Sequence, residues 1–152
     1  MSKNNVTTLV PRLITAQQTY PVRHAVLRKG KPISSCIFEG DELTSTFHIG
    51  GFVNDELVAV ASFFEADQEQ HNFYNAIQLR GMAVLETHHG SGYGQQLLVF
   101  GEQLVRKKNK PILWMNARKS ALGFYAKLAY KTIGTVFEIP LIGEHYVLFK
   151  NI

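Results

Sequence analysis

Apolar and polar positions along this chain switch between a two-residue and a helical period, and the switches mark out its elements. Val6 to Ile14 reads as a first strand. Tyr20-Pro21 then starts a helix, because proline is tolerated in the first turn, and Val22, Ala25 and Val26 fall on one face. Gly30-Lys31-Pro32 breaks it. Thr44 to Val53 and Leu57 to Phe64 are strand runs joined by Asn54-Asp55-Glu56, a hairpin signal. The polar stretch Glu65 to Asn72 leads to a fourth strand, Ile77 to Val84. A helix over 92–108 places Leu97, Leu98, Gly101, Leu104 and Val105 on one face. Past Pro111 comes a fifth strand, Ile112 to Asn116. A helix from Ser120 to Ala129 follows, presenting Phe124 and Leu128 to the core with Ala121 at the margin. Thr132 to Ile139 and His145 to Phe149 form a last hairpin around Pro140-Leu141-Ile142-Gly143-Glu144.

The order β-α-β-β-β-α-β-α-β-β predicts an α/β (α+β) mixed sheet flanked by helices, not a doubly wound nucleotide fold. No repeat or linker interrupts it, and 152 residues at 45% hydrophobic and 18% charged suffice for a single domain over 1–152. The lone cysteine, Cys36, excludes an intrachain disulfide and reads as a small buried hydrophobe. Met1-Ser2-Lys3-Asn4-Asn5 lacks the apolar run of a signal peptide, and no stretch of 18 apolar residues occurs. The expected location is therefore the cytoplasm, with no membrane partner.

Charge changes the picture only in the second half. The net charge is +4, but residues 86–152 hold nine Lys and Arg against Glu86, Glu102, Glu138 and Glu144. An anionic cofactor or a nucleic acid could use such a surface. Arg106-Lys107-Lys108-Asn109-Lys110 lies at a helix C-terminus, where cations complement the dipole. The chain has no aromatic-basic recognition motif, so no nucleic-acid partner is expected.

The chemistry concentrates in His88-His89-Gly90-Ser91-Gly92-Tyr93-Gly94, which follows the fourth strand and opens the second helix. Glycines there let backbone N–H groups approach a ligand, and the free donors and dipole of a helix N-terminus favour an anion. The spacing is neither that of a P-loop nor that of the dinucleotide fingerprint, and no Asp follows Asp67 to hold a ribose.

His89-Gly90-Ser91-Gly92-Tyr93-Gly94 resembles the pyrophosphate loop of the GNAT family of N-acetyltransferases, written Gln/Arg-x-x-Gly-x-Gly/Ala. The preceding Leu79-Arg80-Gly81-Met82-Ala83-Val84 is similar to that family's fourth strand. Asn116 to Tyr130 resembles its Asn-x-x-Ala-x-x-Phe-Tyr-x-Lys-x-Gly-Phe/Tyr motif, with Ala129 in place of the common glycine and His89 where Arg or Gln is usual. The resemblance implies a GNAT-like acyl-CoA N-acyltransferase fold, a twisted, mostly antiparallel sheet splayed between its fourth and fifth strands. It also implies acetyl-CoA as co-substrate, with no metal, and an amine acceptor that is a small molecule or a peptide; a homodimer is left open.

By the same resemblance the pantetheine amides pair with Met82, Ala83 and Val84 as an added strand would, and the Val84 N–H faces the acetyl carbonyl. The pyrophosphate falls to the amides of His89, Gly90, Ser91, Gly92, Tyr93 and Gly94. Asn116 meets the cofactor's amide arm or, alternatively, caps the helix at Ser120. Tyr125 is the expected general acid for the departing thiolate, with core filling as its competing role. Many relatives carry Glu at the place of Gln78, which cannot take a proton. His48 and His145 are therefore candidate bases, with Glu65 and Glu138 as further options. Gln78 and Arg80 are candidate acceptor contacts, Arg80 for a carboxylate unless it serves a structural ion pair. The activity implied is direct acetyl transfer to a primary amine in a ternary complex. The alternative is a non-catalytic acyl-CoA-binding or sensing domain that keeps the cleft.

Overall fold

The computed structural model describes residues 8–140 and 142–152. The polar start Met1–Asn5, Val6 and Thr7 of the expected first strand, and Leu141 of the last turn lie outside the described residues. Among these residues the order is β1 (Val10–Ile14), α1 (Ala16–Leu27), β2 (Phe47–Val53), β3 (Glu56–Glu65), β4 (Ala76–Val84), α2 (Tyr93–Lys107), β5 (Ile112–Arg118), α3 (Leu122–Ala126), β6 (Lys131–Ile139) and β7 (Gly143–Asn151). The succession is the one the periodicity predicts.

Several boundaries shift from the expected ones, β7 running Gly143–Asn151 and β5 on to Arg118, and three of the shifts have a local reason. α1 begins at Ala16 and not at Tyr20, because Thr15 and Gln18 form a capping box. The Gln18 amide donates to Thr15 Oγ1 at 3.2 Å and the Thr15 amide to Gln18 Oε1 at 2.8 Å. Pro21 consequently lies inside the helix, where it removes one backbone donor. β2 starts at Phe47 because residues 38–46 are taken up by turns, including Asp41 N–H to Phe38 O and Thr46 N–H to Leu43 O. The expected helix from Ser120 to Ala129 shrinks to a 3-10 turn (Lys119–Ala121) and the five residues of α3. It stops there because Ala129 takes φ +72. Tyr125 is its buried side chain, Phe124 is half-buried, and Leu128 is buried just past its end.

The strand order is β1-β2-β3-β4-β5-β7-β6. β4 and β5 are parallel and their ladder covers Ala76–Gln78 against Ile112–Trp114, while β4 runs on to Val84 and β5 to Arg118. β5 pairs antiparallel with β7 from Ile112↔Asn151 to Arg118↔His145. The chain's contacts fall into two compact units. One comprises the described residues up to Ser62 with Gly81–Gly101, the other Phe63–Arg80 with Glu102–Ile152.

In the first unit, Val22, Val60 and Ala83 form a core cluster with Ile14, Val26, Leu27, Leu57 and Leu85 packed on it. The β2–β3 turn places Asn54 at φ +50 and Asp55 at φ +65, the geometry of a two-residue hairpin turn. In the second unit Phe73, Ala76, Trp114 and Val147 form the core, and Trp114 Nε1–H donates to the Ala66 carbonyl at 2.8 Å.

Candidate functional site

The glycine loop lies wholly within the first unit. After β4 a single 3-10 turn (Glu86–His88) carries the chain to His89, and α2 starts at Tyr93. Gly90 and Gly92 sit at φ +82 and +78, a conformation side chains rarely take. The first helical bond runs from the Gln96 amide to Gly92 O at 3.1 Å, so the amides of Gly94 and Gln95 precede it at the open helix end. An added Cβ would meet nothing within 4 Å at Gly90, and only Gln96 Nε2 at 4.0 Å at Gly92. The loop is thus open over its glycines, with donors aimed at one helix end, which fits a diphosphate.

His89 anchors this loop through its ring: Nε2–H donates to the Val84 carbonyl at 2.7 Å. The sequence marks His89 only as a departure from Arg or Gln, and the departure is the signal that its side chain has other work. The Tyr93 ring lies 6.1 Å from that of His88. Along the strand edge Ala83 is buried, while Met82 and Val84 are half-buried.

Behind that edge is a buried polar network that the sequence does not announce. Arg23, wholly buried on α1, donates from Nη1 to Asp41 Oδ2 and the Cys36 carbonyl, both at 2.7 Å. Its Nη2 donates to Asp41 Oδ1 at 3.0 Å and to Ser62 Oγ at 2.8 Å. The guanidinium lies 3.8 Å from the Phe38 ring centroid. Gly81, at φ +66 within β4, leaves room for this pair, since a Cβ there would come within 2.9 Å of Phe38 and 3.2 Å of Arg23 Nε. Burial pushes the Asp41 carboxyl up, but the hydrogen bonds from Arg23 and the Phe38 amide outweigh it and hold the group below its ordinary range.

His48 belongs to this network. Its Nε2–H donates to the Asp41 carbonyl at 2.9 Å, and Nδ1 lies 2.7 Å from Ser62 Oγ. Both ring nitrogens are therefore engaged, and the side chain is buried.

The second unit holds the other expected site residues. Asn116 is exposed on β5, opposite Val147. The turn after β5 is capped by Arg118 without a side-chain bond, so Asn116 is not its cap. Tyr125 is buried on α3 against the rings of Phe124 at 5.0 Å and Tyr130 at 5.7 Å. Burial pushes its phenol up to about 12. His145 faces Arg118 in the β5–β7 ladder and packs on Phe137 at 5.8 Å. Its Nδ1–H donates to the Gly143 carbonyl at 2.9 Å, which leaves the Nε2 lone pair as the basic one. Gln78 ends the β4–β5 ladder opposite Trp114, and the Arg80 guanidinium lies 5.1 Å from the Phe64 ring centroid. Glu65 is exposed with Lys110 at 3.6 Å, and Glu138 is exposed opposite Glu144. Cys36 is a buried thiol whose carbonyl serves Arg23. No group of three or more His, Cys, Asp or Glu among the described residues is placed to hold a metal ion, and no helix among them is long and apolar enough to cross a membrane.

Residues 14–130 match the family described as Acetyltransferase (GNAT) family. The chain belongs to this family. It is an acetyl-CoA-dependent N-acetyltransferase by that membership. It is 35% identical over 141 residues to the uncharacterised N-acetyltransferase YitI of Bacillus subtilis (strain 168), covering 93% of this chain and 95% of that protein. Two solved structures share the fold. ElaA of Escherichia coli superposes with a TM-score of 0.73 at 22% identity, over 95% of this chain and 100% of that one. An aminoglycoside 6'-N-acetyltransferase complexed with coenzyme A superposes with a TM-score of 0.75 at 14% identity, over 93% of this chain and 96% of its own.

Proposed function

We propose that this enzyme transfers the acetyl group of acetyl-CoA directly to the primary amine of a small-molecule or peptide acceptor, without a metal. The observation that supports the cofactor half is the pair of left-handed glycines ahead of α2, which opens the helix start to an anion. Acetyl-CoA, when bound, supplies an activated acyl group and a thiolate leaving group. In this reading the backbone of Met82–Val84 receives the pantetheine amides, the Val84 N–H stabilises charge on the reacting carbonyl oxygen, and Asn116 orients the arm.

Tyr125 is the proposed general acid. A phenol raised to about 12 stays protonated at neutral pH and can donate to the departing sulfur. For the base, His145 is the better supported of the two histidines, because its Nδ1–H is spoken for and Nε2 is left to accept. His48 spends both nitrogens inside its own network. Gln78 and Arg80 are the proposed acceptor contacts.

Release of coenzyme A thiol from acetyl-CoA, assayed against a panel of amines, amino acids and peptides, tests the reading. Turnover with an amine supports it. A melting shift with acetyl-CoA but no thiol release with any acceptor would leave binding alone, the one reading that Gln78 in place of a carboxylate favours. Bound at about 100 times its dissociation constant, acetyl-CoA is expected to stabilise the fold by roughly 2.7 kcal/mol. Equal shifts with NAD and ATP would remove the cofactor assignment.

A further inference from the structure

We infer that Glu102 and Tyr130 are positioning residues for Tyr125: their buried hydrogen bond fixes where the short α3 turn holds the phenol. The inference rests on the general-acid reading above. It concerns residues of the second unit alone.

α3 has five residues, and Ala121 caps it with no side-chain hydrogen bond. A helix that short has no stability of its own. What grips the turn from outside therefore decides where Tyr125 sits. The grip comes from the residues that follow it. The amides of Leu128 and Tyr130 both donate to the Tyr125 carbonyl, at 3.0 and 3.1 Å. Ala129, at φ +72, folds the chain back so that the Tyr130 amide can reach. The Tyr130 ring then meets the Tyr125 ring edge-on, at 5.7 Å and 71°.

Tyr130 thus touches Tyr125 through backbone and ring at once, and its own place is set by its hydroxyl. That hydroxyl donates to Glu102 Oε2 at 2.7 Å in a buried setting. Glu102, on α2, is only 3% exposed and is held from the other side by Lys150 Nζ at 3.0 and 3.1 Å. The same ammonium lies 5.5 Å from the Tyr130 ring centroid. A bond between a phenol and a buried carboxylate is short and directional, whereas ring packing alone tolerates sliding and rotation. Glu102 is the fixed point, Tyr130 the strut, and Tyr125 the group whose aim depends on both.

Tyr130→Phe removes only the hydroxyl. Misplacement of a catalytic group by about 1 Å can cost on the order of 10²-fold, and a ring kept in its slot moves less, so roughly tenfold in kcat is expected. The KM for acetyl-CoA should change less than about twofold, because the glycine loop is untouched. The decisive measurement repeats the substitution in a Tyr125→Phe background. There it should lower kcat by less than about twofold, since no phenol remains to be aimed. Equal losses in both backgrounds, or unchanged kcat in the parent, would overturn the inference. If Tyr130→Phe does not fold, Glu102→Gln is compared in the same two backgrounds. It keeps an acceptor oxygen without the charge, and its loss of kcat must likewise vanish without the Tyr125 hydroxyl. Should Tyr125→Phe alone leave chemistry-limited turnover intact, the general-acid reading fails by itself and takes this inference with it.

Discussion

Each of the two units pairs a cation with a buried carboxylate, and the two pairs are built on different principles. In the first, the Arg23 fork meets both oxygens of Asp41 and also serves the Cys36 carbonyl and Ser62, with the Phe38 ring against its face. Both side chains are essentially without solvent, at 0% and 1% exposure. In the second, Glu102 is equally buried, but Lys150 keeps 21% of its side chain in water and shares the carboxylate with a phenol. A planar guanidinium can hold several fixed partners at once deep inside, as both terminal nitrogens of Arg23 do although its buried Nε finds none among the described residues; a point charge on a flexible stem keeps its solvent. The first pair is therefore a closed structural knot, while the second keeps one partner open to solvent.

Breaking the pairs should separate them. Asp41→Ala leaves the Arg23 charge buried and unpaired, and a loss of about 3–5 kcal/mol is expected in chemical denaturation. Because the Asp41 carboxyl is held below its ordinary range, its contribution is present above the unfolded value near pH 4 and is lost as pH falls through the folded one. Acid unfolding of Asp41→Asn should lack that steep dependence below about pH 4. An acid profile identical to the parent's would show that the knot does not control this limb.

Tyr125→Phe is the next largest effect, and it falls on rate instead of stability. Turnover should drop roughly 10²-fold with acetyl-CoA affinity unchanged. With the phenol pushed up to about 12, its deprotonation limb lies far on the alkaline side, so parent kcat should show no decline from this group between pH 8 and about 10. A clear kcat decline in that window, missing in the mutant, would contradict the burial described for Tyr125.

Smaller again is Glu102→Ala. Lys150 can turn to solvent once its partner is gone, so the cost should stay near the one to three kcal/mol of an orphaned Tyr130 hydroxyl, roughly half that at Asp41. Equal losses at the two sites would erase the contrast between them. The smallest effect is a gain. Ala129 occupies a left-handed position at φ +72, and Ala129→Gly should stabilise by about 1 kcal/mol, read as a rise in Tm.

The same contrast explains what the sequence discloses. The glycine loop and the Asn116–Tyr130 motif are local, each written in a run of consecutive residues, and the element order follows from periodicity alone. The knot is not local: Arg23 and Asp41 are 18 residues apart and Arg23 and Ser62 are 39. No local spacing marks Arg23 as the centre of a buried network, because its partners come from three other segments. Pro21 misplaced the start of α1, because a proline signals a first turn more strongly than Thr15 and Gln18 signal a capping box across three residues. The length of α3 turns on Ala129 at φ +72, where the motif's common glycine hints at a left-handed turn and the alanine in its place masks the hint. Gly81 looks like any strand residue, although it is what lets Phe38 and Arg23 lie against β4.

The bond from the His89 ring to the Val84 carbonyl has a kinetic consequence. It ties the end of the strand to the start of the glycine loop, so on the reading proposed above the loop's first residue is held before any ligand arrives. A visitor then has no loop to gather, and its observed association rate should rise linearly with concentration. Cutting the tie with His89→Ala turns arrival into a wait for the loop to close, visible in stopped-flow traces as a rate that levels off at high acetyl-CoA.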